Sequence, residues 1–192
     1  MFPKASATVS SSRRRSRLVP AVIAVATIAC VALVAGASAA AAAGPNTGFG
    51  FNARDIAGFP TGAVTLTGGG AFDSSTGFVH SGGGFSCTTR VSQGPLTNCR
   101  GGEGVRWDTA DLLSGTMFKC TGSAGEALKP ASTADDTLVL RADFYRAGDG
   151  NDESFTANMI VSANDIAPDI PGVQNVWVQG VGCATAVVNF SS

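Results

Sequence analysis

The chain is poor in the residues from which catalytic sites are most often built. It has one histidine, His80, one tyrosine and two tryptophans, and only 14% of its 192 residues are charged. A single histidine and no paired C-x-x-C knuckle leave no zinc-ligand pattern. A Ser-His-Asp triad needs its histidine within reach of both partners, and no G-x-S-x-G elbow is present. Ser81 follows His80 directly, and neighbours on a strand point to opposite faces. Three Trp and Tyr residues in all are too few for the two aromatic girdles of an outer-membrane barrel. Nor does any segment carry the sustained 3.6-residue apolar period of an amphipathic helix.

The one long apolar run lies at the N-terminus, from Leu18 to Val34, broken only by Pro20 and Thr27. It follows a basic stretch with Arg13, Arg14, Arg15 and Arg17, and precedes Ala37-Ser38-Ala39. A basic region, an apolar core and a small-x-small cleavage site are the three parts of a secretory signal. Residues 1–39 are therefore expected to be a signal peptide whose apolar core is helical. An uncleaved segment would instead keep the domain at the membrane face. The Ser12-Arg13-Arg14-Arg15 run is a partial match to a twin-arginine signal, because Ser16 and Arg17 replace the hydrophobic residues expected there. Cys30 lies within the apolar core, behind a poor lipobox.

Removing the signal takes away five of the thirteen basic residues and none of the fourteen acids, leaving a net charge of −6. That charge argues against a nucleic-acid partner, which would require a basic patch. Four cysteines remain, Cys87, Cys99, Cys120 and Cys183. An even count in an exported chain reads as two disulfides. Three pairings are open. The expected one joins Cys87 to Cys99 across a short loop and Cys120 to Cys183 as a long-range staple. Chain entropy credits the long loop with roughly 4 kcal/mol and the short one with somewhat under 3.

The mature chain reads in period two. Leu138, Leu140, Ala142 and Phe144 share one face of a strand over 137–146, and Phe155, Ala157, Met159 and Val161 share one face over 154–162. The turn formers of 147–153 between them make this the clearest hairpin. Further strands are expected at 49–54, 63–67, 71–73, 77–80, 84–90, 104–108, 116–121, 175–181 and 183–190. Asp108 is a candidate cap for one helical turn over 109–113. Pro168 and Pro171 mark an irregular crossover. Gly68-Gly69-Gly70 and Gly82-Gly83-Gly84 read as bends or bulges between strands. They lack the lysine and the following helix of a phosphate loop. The expected organisation is a signal at 1–39, a small-residue linker at 40–48 and one domain at 49–192. That domain is all-β, an antiparallel sandwich or barrel-like fold stapled by two disulfides.

Two chemistries deserve naming. A glycan hydrolase would need paired carboxylates across a cleft. Asp108 or Asp111 beside Trp107 is the candidate set, with Glu103 and Asp143 as further acids. Asp149, Asn151, Asp152 and Glu153 are the densest group of oxygen ligands and the candidate calcium site. The cluster starts like a calcium-binding loop, but Ser154 stands where a glycine is needed. Most of these acids sit in turn-like contexts, where Asp serves its own backbone.

The segments Gly104-Val105-Arg106-Trp107-Asp108-Thr109, Asp143 to Glu153 and Pro171-Gly172-Val173-Gln174-Asn175-Val176-Trp177, with the alanine-rich signal, resemble small secreted proteins of high-GC Gram-positive bacteria. The resemblance implies export and assigns no catalytic residue. The expectation is a secreted or envelope-associated, non-catalytic binding or structural domain, its partner a glycan or protein of the cell envelope. The alternatives are the hydrolase and a calcium-dependent adhesion module.

Overall fold

The computed structural model describes residues 46–60, 62–146 and 155–192. The signal, most of the linker and the calcium candidates Asp149, Asn151, Asp152 and Glu153 lie outside the described residues. Among the described residues the regular structure is all strand: β1 (Thr47–Gly58), β2 (Ala63–Asp73), β3 (Phe78–Thr89), β4 (Arg106–Leu112), β5 (Gly115–Phe118), β6 (Lys129–Ser132), β7 (Thr137–Tyr145), β8 (Phe155–Ser162), β9 (Val176–Val178), β10 (Gly182–Ala184) and β11 (Ala186–Ser191).

Nine strands form one antiparallel sheet in the order β10-β9-β8-β7-β4-β3-β2-β1-β11, and β10 also pairs with β1, so the sheet closes on itself. The ring is a meander, interrupted only where β5 and β6 leave it as a separate two-stranded arm. β10 and β11 are one strand broken at Thr185. β1 pairs first with β11, Gly48 to Ala53 against Ser191 to Ala186, and then with β10, Ala57 and Gly58 against Cys183 and Gly182. A bulge in β1 between Ala53 and Ile56 makes the change of partner, with Asp55 in the left-handed region at φ 52°. Aspartate tolerates that conformation better than most residues.

Period two sorts the side chains as expected. Leu138, Leu140, Ala142, Phe144, Ala157, Met159 and Val161 are all buried in the interior cluster, with Phe155 packed against it. β7 and β8 pair along their length, from Thr137 against Ser162 to Phe144 against Phe155. A ring of this size is just wide enough for side chains to fill. Phe49, Phe51, Leu66, Phe72, Phe85 and Trp107 fill it from the other wall.

Three expectations are corrected. The glycine triplets are not bends between strands, since β2 and β3 run through them with Gly68 opposite Gly83 and Gly69 opposite Gly82. At Gly68 the reason is Trp107, and at Gly83 it is the close backbone of β2. Phe51, Gly68, Gly83 and Trp107 are successive neighbours across four strands. The indole lies over Gly68, meets Phe51 at a ring separation of 5.9 Å and donates from Nε1 to the Thr67 carbonyl at 3.0 Å. A Cβ on Gly68 would stand 2.5 Å from the indole, and one on Gly83 would overlap the Thr67 oxygen. Glycine is thus required by packing rather than by backbone conformation.

The helical turn over 109–113 is absent. β4 continues through it to Leu112, with Thr109 opposite Ala142 and Leu112 opposite Leu140, and a bulge at Ala110 shifts the register between them. The domain also begins earlier than Phe49, since Thr47 and Gly48 already belong to β1. β6 was not expected from the sequence.

Candidate functional site

Both disulfides have the expected pairing, Cys87–Cys99 and Cys120–Cys183, with Cα separations of 6.1 and 4.9 Å. The first closes the loop after β3. The second ties the arm to β10, and it sits in a second apolar cluster on the outside of the barrel. Phe118, Val139, Ile160, Ala167, Trp177 and Cys183 form that cluster, with Leu113 and Ile170 against it. The arm and the 163–173 loop therefore cover one outer wall of the barrel.

A single carboxylate locks the arm's turn. Glu126 accepts from the backbone N–H groups of Cys120, Thr121 and Gly122, from the Thr121 hydroxyl and from Lys129 Nζ. Burial raises its pKa, but the hydrogen bonds from Thr121, Lys129 and Cys120 outweigh burial and hold it down at about 2. Lys129 also reaches Asp169 at 3.0 Å, joining the arm to the 163–173 loop. Burial lowers the lysine pKa, yet its two carboxylate partners shift it upward on balance.

Between this arm and the barrel end lies a groove of about 360 Å³. Phe59, Pro95, Met117, Leu128 and the edge of Trp177 form its apolar surface, with Lys119 and Gln179 at polar positions. Met117 and Leu128 are 53% and 60% exposed, two large apolar side chains brought together on one feature. One wall is anchored: Trp177 Nε1 donates to the Lys119 carbonyl at 2.8 Å, and its ring lies 5.6 Å from that of Phe118. Its residues come from five separate segments, and no pattern in the sequence links them.

The hydrolase candidates are not gathered around a tryptophan, although Asp108 and Asp143 are cross-strand neighbours. Trp107 is fully buried in the barrel interior, and Trp177 is 3% exposed in the outer cluster. Asp108, next in sequence to Trp107, faces outward and pairs with Arg106, whose guanidinium lies 3.9 Å from the centre of the Tyr145 ring. Asp111 pairs with Arg141 at 3.2 Å and Glu103 with Arg146 at 2.9 Å. Asp143 stands opposite Asp108 in the ladder and accepts from Thr156. Asp108, Asp111 and Asp143 lie on the outer sheet surface and Glu103 in the loop before β4, rather than across a cleft from a stacking ring. His80 is exposed, while Ser81 hydrogen-bonds to Thr109. Among the described residues no group of three His, Cys, Asp or Glu side chains is placed to hold a metal.

Together these features define a class: a disulfide-stapled, side-chain-filled antiparallel β-barrel with an external arm and an apolar groove. No protein family, curated protein or solved structure matches the chain.

Proposed function

We propose that the protein is an exported, non-catalytic binding domain that receives an apolar group in the groove between the arm and the barrel. The observation that carries this reading is the exposure of Met117 and Leu128 on a groove whose walls are held by Cys120–Cys183, Glu126 and Trp177. Exposed apolar surface gathered in a concavity marks a binding site more often than scattered apolar residues do. Disulfides persist in oxidising compartments, in keeping with the N-terminal export signal and with a partner outside the cytoplasm. The barrel interior is filled by Trp107 and its neighbours, so a ligand is received on the outside.

The test is titration of the disulfide-intact protein with an anionic naphthalene dye, with retention on purified cell-wall glycan measured alongside. One saturable dye site, lost in a Met117→Glu/Leu128→Glu variant that keeps the wild-type urea midpoint, is the expected result. The absence of saturable dye binding would remove the groove reading. Glycan retention undiminished in that variant would move the contact surface elsewhere.

A further inference from the structure

The barrel ring is closed at β10 but not at β11. Among the described residues β11 has β1 on one side and no strand on the other. The first residue of its open side is covered: the Asn175 carboxamide accepts from the Ala186 N–H at 2.7 Å and donates to the Ala186 carbonyl at 3.1 Å. In an antiparallel ladder, successive residues direct their N–H and C=O groups alternately to the two neighbours. Ala186 points away from β1, so Val188 and Phe190 do as well. No described residue bonds to the backbone of either on that side.

Exposed edges are normally protected by charge, proline or a bulge. The arm shows such protection, with Lys129 and Pro130 on β6. β11 has none. Its sequence, AVVNFS, is uncharged and lacks proline, and its register with β1 runs unbroken from Ala186 to Ser191. Val188 and Phe190 are only half-buried, and Val187 is 70% exposed. Beside the end of the strand lies an open slot of about 420 Å³, bounded by Phe190, Ser191 and Asp135.

We propose that β11 is an interface strand through which two copies of this chain pair edge to edge, antiparallel, about a two-fold axis at Asn189. The strand is complementary to itself. The two-fold places Val188 opposite Phe190 of the second copy and Phe190 opposite its Val188, so each open N–H and C=O meets a partner. No charges oppose each other, because the strand carries none. The half-buried faces of Val188 and Phe190 gain apolar cover. Asn189 meets its own copy on the exposed outer face, away from either barrel interior. This is the isologous geometry of a closed dimer.

The test is sedimentation velocity of the disulfide-intact protein across a concentration series. The wild type is expected to shift to dimer as concentration rises. Asn189→Lys, on the solvent face, sets two like charges directly opposite each other and is expected to weaken self-association several-fold while leaving the circular dichroism spectrum unchanged. Mixing Asn189→Lys with Asn189→Glu is expected to restore the dimer. Val188→Pro removes an outward N–H without touching a bond to β1, and is expected to give a monomer. A wild type that stays monomeric throughout would overturn the proposal. So would an Asn189→Lys dimer as tight as wild type, which would place the contact elsewhere.

Discussion

The two walls of this barrel are built on opposite plans. From β1 to β3 the inner face carries Phe49, Phe51, Leu66, Phe72 and Phe85, while the outer face is small and polar, with Gly50, Thr65, Thr67, Gly69, Gly82 and Ser86. From β7 to β10 the outer face is divided: Arg141, Asp143, Thr156 and Asn158 keep one part polar, while Val139, Ile160, Trp177 and Cys183 make the part under the arm apolar on both sides. The sequence records the difference. The open wall alternates, whereas Leu138-Val139-Leu140, Met159-Ile160-Val161 and Val176-Trp177-Val178 are unbroken apolar runs, as strands buried on both sides tend to be. The open wall is held by ring packing against Trp107. The covered wall depends on a disulfide and on Glu126. Stability is therefore expected to separate into a barrel component and an arm component.

The barrel component should give the largest effect. Trp107→Ala removes the side chain that fills the space above Gly68, and a loss of about 3–5 kcal/mol is expected from urea unfolding. Trp107→Phe should lose less, and mainly the Thr67 hydrogen bond. The arm comes next. Replacing Cys120 and Cys183 by alanine opens a loop with a sequence separation of 63 and should cost about 2–4 kcal/mol. Hydrogen exchange should then report opening of 115–132 before β1 to β3, and simultaneous opening would break the two-component comparison.

Acid should act on the arm first. The pKa of Glu126 falls on folding from an ordinary 4.5 to about 2, so its contribution is fully present above 4.5 and is lost as pH falls from there towards 2. About 2–3 kcal/mol is expected to disappear across that window, and Glu126→Gln should flatten the corresponding pH dependence in thermal melts. The smallest effect belongs to the open surface. Asp111→Asn breaks an ion pair whose side chains are both about half exposed, and should change the unfolding free energy measured in urea by less than about 1 kcal/mol.

Strand periodicity over 137–146 and 154–162 was legible because alternation directly reports which face is buried. The disulfide pairing was legible as an expectation because an even cysteine count leaves few choices. The glycine triplets were misread, since glycine is equally a bend former and a vacated side-chain position. Only the neighbour, here an indole arriving from β4, distinguishes the two. Asp108 and Trp107 were read as a candidate site from adjacency in sequence, although adjacency on a strand places them on opposite faces. The groove was invisible because Phe59, Pro95, Met117, Leu128 and Trp177 are strangers in sequence.

The sequence by itself determined a β domain of alternating strands, an oxidised set of four cysteines and an excess of acidic residues after the N-terminal apolar run. Periodicity, parity and charge are local or additive, and require no partner to be known. Tertiary structure alone decided that the sheet closes at β10 while β11 keeps an open edge. It also decided that the tryptophans are buried and that an arm folds back to form a groove. Each of these depends on which distant segments meet, and a linear pattern of residues does not contain that information.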